Sequence, residues 1–227
     1  SRIVLEANPD YFAGSVDIPR IVYIFVEDEN ARAAMLRSGT LDVARLSPQL
    51  ARQFVDDDRF QVVVPPTASV NQVSLPNDNP VLADSRVRRA LAMAVDRQTL
   101  VDTVWAGMSQ PAYGPILPGH WAYDEEAYIP YDPSGARALL REAGWVQGSD
   151  GFFVKDGQRL AFTLMYLPSL EQDRRIALAL RSYFAAIGVD MEVEGVASPA
   201  YLDRIHQDAW LHGVGLPYDP DYVFWSS

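Results

Sequence analysis

Residues Asp84–Gly119 read DSRVRRALAMAVDRQTLVDTVWAGMSQPAYGPILPG, and this stretch carries the strongest fold signal in the chain. Apolar residues recur at roughly helical spacing over Ser85–Trp105, and Asp84 stands where an N-cap belongs. The pattern predicts an amphipathic helix over that range, with Asp96 as a point where it can break. The proline- and glycine-rich residues after it predict an ordered loop of little regular structure, a kind that often lines binding sites.

Segments with strand-like and helix-like patterns alternate on both sides of this stretch. The strands are predicted at Ile21–Val26, Leu41–Ala44, Arg59–Val64, Phe152–Val154, Leu160–Leu167, Val189–Val193 and Ala209–Val214. Further helices are predicted at Glu29–Ser38, Ser47–Val55, Leu170–Ile187 and Pro199–His206, with another that begins at Asp132-Pro133 and ends at Gly144. The alternation predicts a fold of mixed α/β layers.

Composition excludes several classes of function. The formal net charge of −11 disfavours binding to polyanions such as nucleic acids. The absence of cysteine removes thiol catalysis, cysteine-bound zinc and disulfides. The chain carries no nucleophile-elbow, zincin, P-loop or dinucleotide-binding motif, and its three histidines lack metal-ligand spacing. We therefore predict neither an enzyme nor a cofactor or resident metal.

Five segments taken together resemble the extracytoplasmic solute-binding proteins of peptide and nickel ABC importers. Their order along the chain also matches that family. They are LEANPDYFAG at 5–14, MLRSGTLDVARL at 35–46, the stretch at 84–119, YDPSGARALLREAGW at 131–145, and AAIGVDMEVEGVASPAYLDRI at 185–205.

The resemblance implies a fragment of the periplasmic-binding-protein fold (type II, cluster C), with mixed sheets and flanking helices. A complete member of the family is about twice this length, with a first lobe split around a second. Residues 1–65 would be a segment of the terminal lobe (lobe I), and residues 66–227 most of the opposite lobe (lobe III). The punctuating pair Pro65-Pro66 marks the expected boundary.

The stretch GLPYDPDY at 215–222 is the first candidate ligand site, because the resemblance implies that the strand before it leads to a loop facing the cleft between the lobes. Pro217 and Pro220 fix φ, so little entropy is lost when Tyr218 packs on a ligand. Asp219 is a further candidate, and capping of a following helix is the alternative role for it.

Four other residues are candidates for ligand contact. Tyr166 and Ser169 stand where a strand passes into a helix, a place where open α/β sheets bind ligands, although Tyr166 can equally fill the core. Gln72 lies on the strand entering the second lobe and can donate or accept hydrogen bonds. Trp121 offers an aromatic platform in the irregular loop, unless that loop only packs on itself.

The resemblance leaves the class of ligand open. Peptide receptors of the family carry an aspartate near the position of Leu216, and nickel-binding members carry a tryptophan where Val214 stands. The chain departs from both patterns. The expected solute is a peptide or a peptide-like molecule, with a nickel or other metal chelate as the first alternative.

The expected function is that of a monomeric, periplasmic or otherwise extracytoplasmic importer component that delivers a small solute to an ABC permease in the membrane. In its full length such a component can be anchored to the membrane as a lipoprotein. Alternatives from other classes are a carboxylate-dependent hydrolase, which would need a pair of acids about 5–10 Å apart in a pocket, and a protein-interaction domain, which would need a broad exposed apolar patch.

Overall fold

The helix predicted over Ser85–Trp105 is divided into two helices in the computed structural model. The structure describes residues 1–64, 69–114, 116–117, 120–124, 126, 128–197 and 200–215. Helix α3 covers Ser85–Met93, and helix α4 covers Arg97–Val104. The Asp96 carboxylate accepts a hydrogen bond from the backbone N–H of Thr99 at 3.0 Å. Asp96 itself has an extended backbone (φ −76°, ψ 93°), so the first helix ends before it and the second begins after it.

The chain divides into two compact units, residues 1–63 and 64–227. The first unit contains an antiparallel hairpin of β1 (Arg2–Glu6) and β2 (Arg20–Ile24). Helix α1 (Glu29–Arg37) follows, and α2 (Pro48–Ala51) runs into a 3-10 turn. Few side chains of this unit are buried; Ala33 and Phe54 are two of them.

Two strands predicted in the first unit are wrong. Leu41–Ala44 and Arg59–Val64 have no strand pairing in the part of the chain that the structure describes. Val43, at the centre of the first, has 86% of its surface exposed. A strand needs hydrogen bonds from a neighbour, and local sequence does not reveal whether a neighbour is present.

The second unit is built on a mixed four-stranded sheet. Its strand order is β3-β9-β7-β8, in which β7 is parallel to both β8 and β9 while β3 is antiparallel to β9. The strands are β3 (Ser69–Ser74), β7 (Ala161–Tyr166), β8 (Asp190–Gly195) and β9 (Ala209–Gly215).

Helices pack on one face of this sheet. Besides α3 and α4, they are α5 (Pro133–Glu142) and α6 (Glu171–Ala186). Alternate strand residues such as Leu164, Ala209 and Leu211 are fully buried against apolar residues of the helices. The mixed sheet with flanking helices agrees with the predicted fold class.

A small second sheet lies beside the helices. It comprises β4 (Val146–Gln147), β5 (Phe153–Lys155) and β6 (Gln158–Arg159). The turn between β5 and β6 places Asp156 and Gly157 at φ 51° and 80°, which is why an Asp-Gly pair occupies it. Across the described ranges, helices fall short of the length and apolar character needed to cross a membrane.

Candidate ligand-binding site

The carboxyl ends of three strands point toward one edge of the four-stranded sheet. Strands β7, β8 and β9 are mutually parallel; Tyr166 and Gly195 end at the same level, and β9 continues past them to Gly215. Antiparallel β3 begins at that edge, since Ser69 pairs with Gly215. Open α/β sheets bind ligands outside the carboxyl ends of their strands, which makes this edge the candidate site.

Tyr166 is the last residue of β7 and is half-buried against the helical core. A Cβ added to Gly195 would lie 3.2 Å from the Tyr166 hydroxyl oxygen and 3.3 Å from Cβ of Pro168. The absence of a side chain at Gly195 therefore lets the phenol ring lie across the end of β8. Ser169 is exposed in the turn that precedes α6. These two predicted residues are brought to the same edge.

Gln72 faces the other side of the sheet. It pairs in register with His212, and its amide nitrogen lies 3.3 Å from Nε2 of that ring. The hydroxyl of Ser74 lies 2.9 Å from the same nitrogen. A neutral His212 ring can accept from the Gln72 amide through Nε2, and the role of each ring nitrogen depends on the tautomer. Burial lowers the pKa of His212, which favours the neutral form.

An aromatic stack continues along this opposite face. The ring centroids of His212 and Trp210 are 4.0 Å apart with 11° between their planes, and those of Trp210 and Tyr201 are 4.6 Å apart with 22°. The indole N–H of Trp210 is buried and has no hydrogen-bond partner among the residues that the structure describes. Gln72 thus belongs to a packed cluster that does not include Tyr166.

Next to the stack, an ion-pair network fixes the segment before β9. Arg204 bonds Glu194 at 2.8 Å and Asp208 at 2.7 Å. The guanidinium of Arg204 lowers the pKa of the Glu194 carboxyl, and the two acids raise the pKa of Arg204. These ion pairs link Glu194 of β8 to the segment that immediately precedes β9.

Trp121 has 69% of its surface exposed and lies in the irregular loop between α4 and α5. Its ring is 5.6 Å from that of His120, tilted by 31°. Pro217, Tyr218 and Asp219 lie outside the described residues, and β9 ends directly before that stretch at Gly215.

Sequence reasoning missed one residue at the edge, Asp173. It belongs to the inward stripe of α6, whose other buried members are Ile176, Ala177, Leu180 and Phe184. Burial raises the pKa of its carboxyl. A charged residue within an apolar stripe at helical spacing is the signal that would have identified it.

A shallow depression of about 180 Å³ lies away from the candidate site. It is lined by Pro80, Val81, Asp84, Trp145, Lys155, Asp156 and Gln158. Lys155 donates to the backbone carbonyl of Ala143 at 2.9 Å, so the lysine caps the end of α5. None of the predicted site residues borders this depression. The described residues also contain no grouping of three or more histidines or acids able to hold a metal ion.

The whole chain, residues 1–227, matches the family model for the middle region of bacterial extracellular solute-binding proteins, family 5. The chain belongs to this family. The predicted membership is therefore confirmed, and so is the fold of a periplasmic-binding-protein-like fragment.

Individual family 5 proteins are similar over nearly all of the chain. Protein XP55 of Streptomyces lividans is 37% identical over 222 residues, which is 97% of this chain and 41% of that protein. The oligopeptide-binding protein AppA of Bacillus subtilis, solved with a nonapeptide, is 27% identical with a TM-score of 0.72; the match covers 96% of this chain and 45% of AppA.

A nickel-binding member of family 5 is equally similar. NikZ of Campylobacter jejuni, solved in complex with Ni(L-His), is 29% identical with a TM-score of 0.76, and the match covers 98% of this chain and 45% of NikZ. The chain spans less than half the length of these family 5 relatives. Relatives of both ligand classes therefore share this region.

Proposed function

We propose that this chain is part of the substrate-binding component of an ABC importer, which captures a peptide or peptide-like solute between two lobes and delivers it to a membrane permease. The observation that carries the proposal is the set of three parallel carboxyl ends, with Tyr166 and Ser169 beside them and the GLPYDPDY stretch directly after β9. Tyr218, Pro217 and Asp219 would contact the solute there.

The described edge suits capture of a ligand better than catalysis. It offers an aromatic ring, a hydroxyl and backbone groups at strand ends, which can bind and orient a solute. The named relatives AppA and NikZ were each solved with a bound solute. We infer that this chain takes part in binding and releasing a solute without a chemical reaction, and that closure of the lobes signals the bound state to the permease.

The lobe assignment is part of the same proposal: residues 1–65 would belong to the terminal lobe and residues 66–227 to the opposite lobe. The β1–β2 hairpin supports this assignment because it is apolar on both of its faces. Consecutive residues of a strand point to opposite faces, and consecutive apolar residues on each strand are 38–53% exposed. They are Ile3, Val4, Leu5, Ile21, Val22, Tyr23 and Ile24. Burying each such side chain is worth about 1.5–3 kcal/mol, so a sheet apolar on both faces calls for a layer on each side. The rest of the terminal lobe would provide those layers.

The proposed setting is outside the cytoplasm. The family description as extracellular solute-binding proteins supports this location. We propose a monomer that meets its permease at the membrane, anchored as a lipoprotein where no periplasm retains it. The net charge of −11 supports a small solute over nucleic acid as the partner.

The test is to purify the full-length protein under native conditions and weigh it by native mass spectrometry, so that a captured solute reveals its mass. Thermal unfolding is then followed with a peptide mixture and, separately, with nickel–histidine. A ligand present at a hundred times its Kd stabilises the folded state by about 2.7 kcal/mol, which raises Tm by several degrees.

A rise in Tm with peptides alone is the expected result. A rise in Tm with nickel–histidine alone would mean that the solute is a metal chelate and not a peptide, and the importer function would stand. Cleavage of the peptides during the incubation would overturn the proposal in favour of a hydrolase. The absence of any bound mass, together with no rise in Tm for either ligand, would also overturn the proposal.

A further inference from the structure

Gly195 ends strand β8 at a position where the backbone does not require a glycine. Its φ lies outside the left-handed region, and it pairs in the parallel ladder with Tyr166 of β7. A side chain is therefore compatible with the backbone there, and a glycine in a strand weakens that strand. A neighbour that comes close to the residue explains the glycine, since glycine in a strand often marks a place of close approach.

The phenol of Tyr166 occupies the space that a side chain at position 195 would need. A Cβ built on Gly195 would lie 3.2 Å from the Tyr166 hydroxyl oxygen and 3.3 Å from Cζ of the same ring. It would also lie 3.3 Å from Cβ of Pro168, two residues beyond the end of β7. These distances are shorter than the optimal separation of about 3.5–4.0 Å between carbon atoms. A methyl group at position 195 would therefore displace the phenol.

The ring of Tyr166 is held by packing while its hydroxyl is free. The ring is half-buried and packs against the helical core. Within the described residues the hydroxyl has no hydrogen-bond partner, and it is not sealed from solvent, because the buried polar side-chain atom that lacks a partner there is the indole nitrogen of Trp210. A phenol hydroxyl donates one hydrogen bond. A fixed ring with a free donor at the ligand edge is a preorganised contact, since little side-chain entropy remains to be lost on binding.

We propose that Gly195 is a positioning residue of the candidate site, which keeps the Tyr166 hydroxyl where it donates to a carboxylate or carbonyl oxygen of the solute. The inference rests on the proposed function. Peptides carry both kinds of oxygen, and a nickel–histidine chelate carries the carboxylate. Pro168 borders the same space, and its fixed φ keeps that border in place.

The test uses the full-length protein and calorimetry with two probes, trialanine and nickel–histidine. Tyr166→Phe removes the donor and keeps the ring, whereas Gly195→Ala displaces the donor without removing it. Each variant is expected to raise the Kd of the probe that the wild type binds by about three- to tenfold, the range of one net hydrogen bond. In the Tyr166→Phe background, Gly195→Ala is expected to raise the Kd by less than about twofold more, because the hydroxyl is already absent. Glu192→Ala is the control, since Glu192 is an exposed residue of the same strand, and it should keep the wild-type Kd.

A urea titration without ligand separates a role in binding from a role in folding. Exchange of glycine for alanine restricts the unfolded chain, which offsets the cost of turning a half-buried ring, so the urea midpoint of Gly195→Ala is expected to stay near that of the wild type. A clearly lower midpoint, combined with a full further loss of affinity in the phenylalanine background, would assign the glycine to the fold and overturn the inference. An unchanged Kd in either single variant would also overturn it while leaving the importer function intact. Absence of binding of both probes by the wild type would overturn the proposed function and the inference together.

Discussion

Replacing Asp96 by alanine is expected to loosen helix α4 without unfolding the second unit. The carboxylate accepts two hydrogen bonds from Thr99, one from its backbone N–H at 3.0 Å and one from its hydroxyl at 2.7 Å. Loss of an N-cap costs about 0.5–2 kcal/mol, and the second bond favours the upper half of that range. Exposure of both bonds to solvent limits their contribution to stability. We therefore expect a loss of about 1–2 kcal/mol in the free energy of helix opening.

The loss has a defined dependence on pH. The hydrogen bonds from Thr99, the backbone one first, lower the pKa of Asp96 in the folded protein. The unfolded chain has the ordinary value of about 3.9. A depressed carboxyl pKa contributes stability that is present above that ordinary value and is lost as pH falls through the lower folded-state pKa. The difference between wild type and Asp96→Ala should therefore be full at neutral pH and smaller in acid.

Amide hydrogen exchange over Arg97–Val104 is the appropriate assay, because it reports the opening of one helix in a protein of several cooperative units. A loss of 1–2 kcal/mol corresponds to about five- to thirtyfold faster exchange. Asp96→Asn keeps an acceptor at the cap and should recover most of the protection. Unchanged exchange in Asp96→Ala, or an equal effect in the asparagine variant, would refute the capping argument.

Two further predictions concern the packing of the second unit and the ligand edge. Gly188→Ala should lower the free energy of unfolding by more than about 2 kcal/mol, since φ is +85° there and the new Cβ would lie 2.8 Å from the carbonyl oxygen of Gly151 and 2.9 Å from the Phe153 ring. Gly157→Ala shares the positive φ but meets no atom within 4 Å, so a comparable urea midpoint for the two variants would contradict the steric argument. Tyr218→Ala should weaken solute binding at least tenfold by calorimetry while the phenylalanine variant keeps most of it, and an unchanged Kd in the alanine variant would remove this residue from the site.

The elements predicted well from sequence are those whose signals are local. The predicted cap at Asp84 and the predicted break at Asp96 both depend on carboxylates that accept hydrogen bonds from residues two or three positions ahead, so the chain carries both partners within a few positions. The Asp156-Gly157 turn likewise depends on the conformational freedom of its own two residues. Predictions of this kind survive in a fragment, because no distant segment is needed to satisfy them.

The strands were harder because their partners are distant in sequence. The hairpin β1–β2 was only half anticipated: β2 was predicted and β1 was not, although each pairs with the other. The predicted strands at Leu41–Ala44 and Arg59–Val64 have the composition of strands and lack a described neighbour. Composition measures how well a residue fits a half-buried pleated surface, whereas pairing depends on the rest of the fold.

The candidate site shows the same division between local and distant information. The passage from β7 into α6 put Tyr166 and Ser169 at a strand end, which the sequence pattern could predict. Which side of the sheet Gln72 faces depended on the register of β3 against β9 and on which face the helices cover. Alternation fixes that Asn71 and Gln72 face opposite ways, but the sequence does not identify the helix-covered side.

Within the described residues, the unsatisfied buried donor of the second unit lies on the sheet face opposite the helical core. It is the indole N–H of Trp210, whose ring is stacked between those of Tyr201 and His212. A buried donor costs about 1–3 kcal/mol when unpaired. A packed aromatic stack leaves a mobile solute no entry, so only a fixed acceptor could remove that cost.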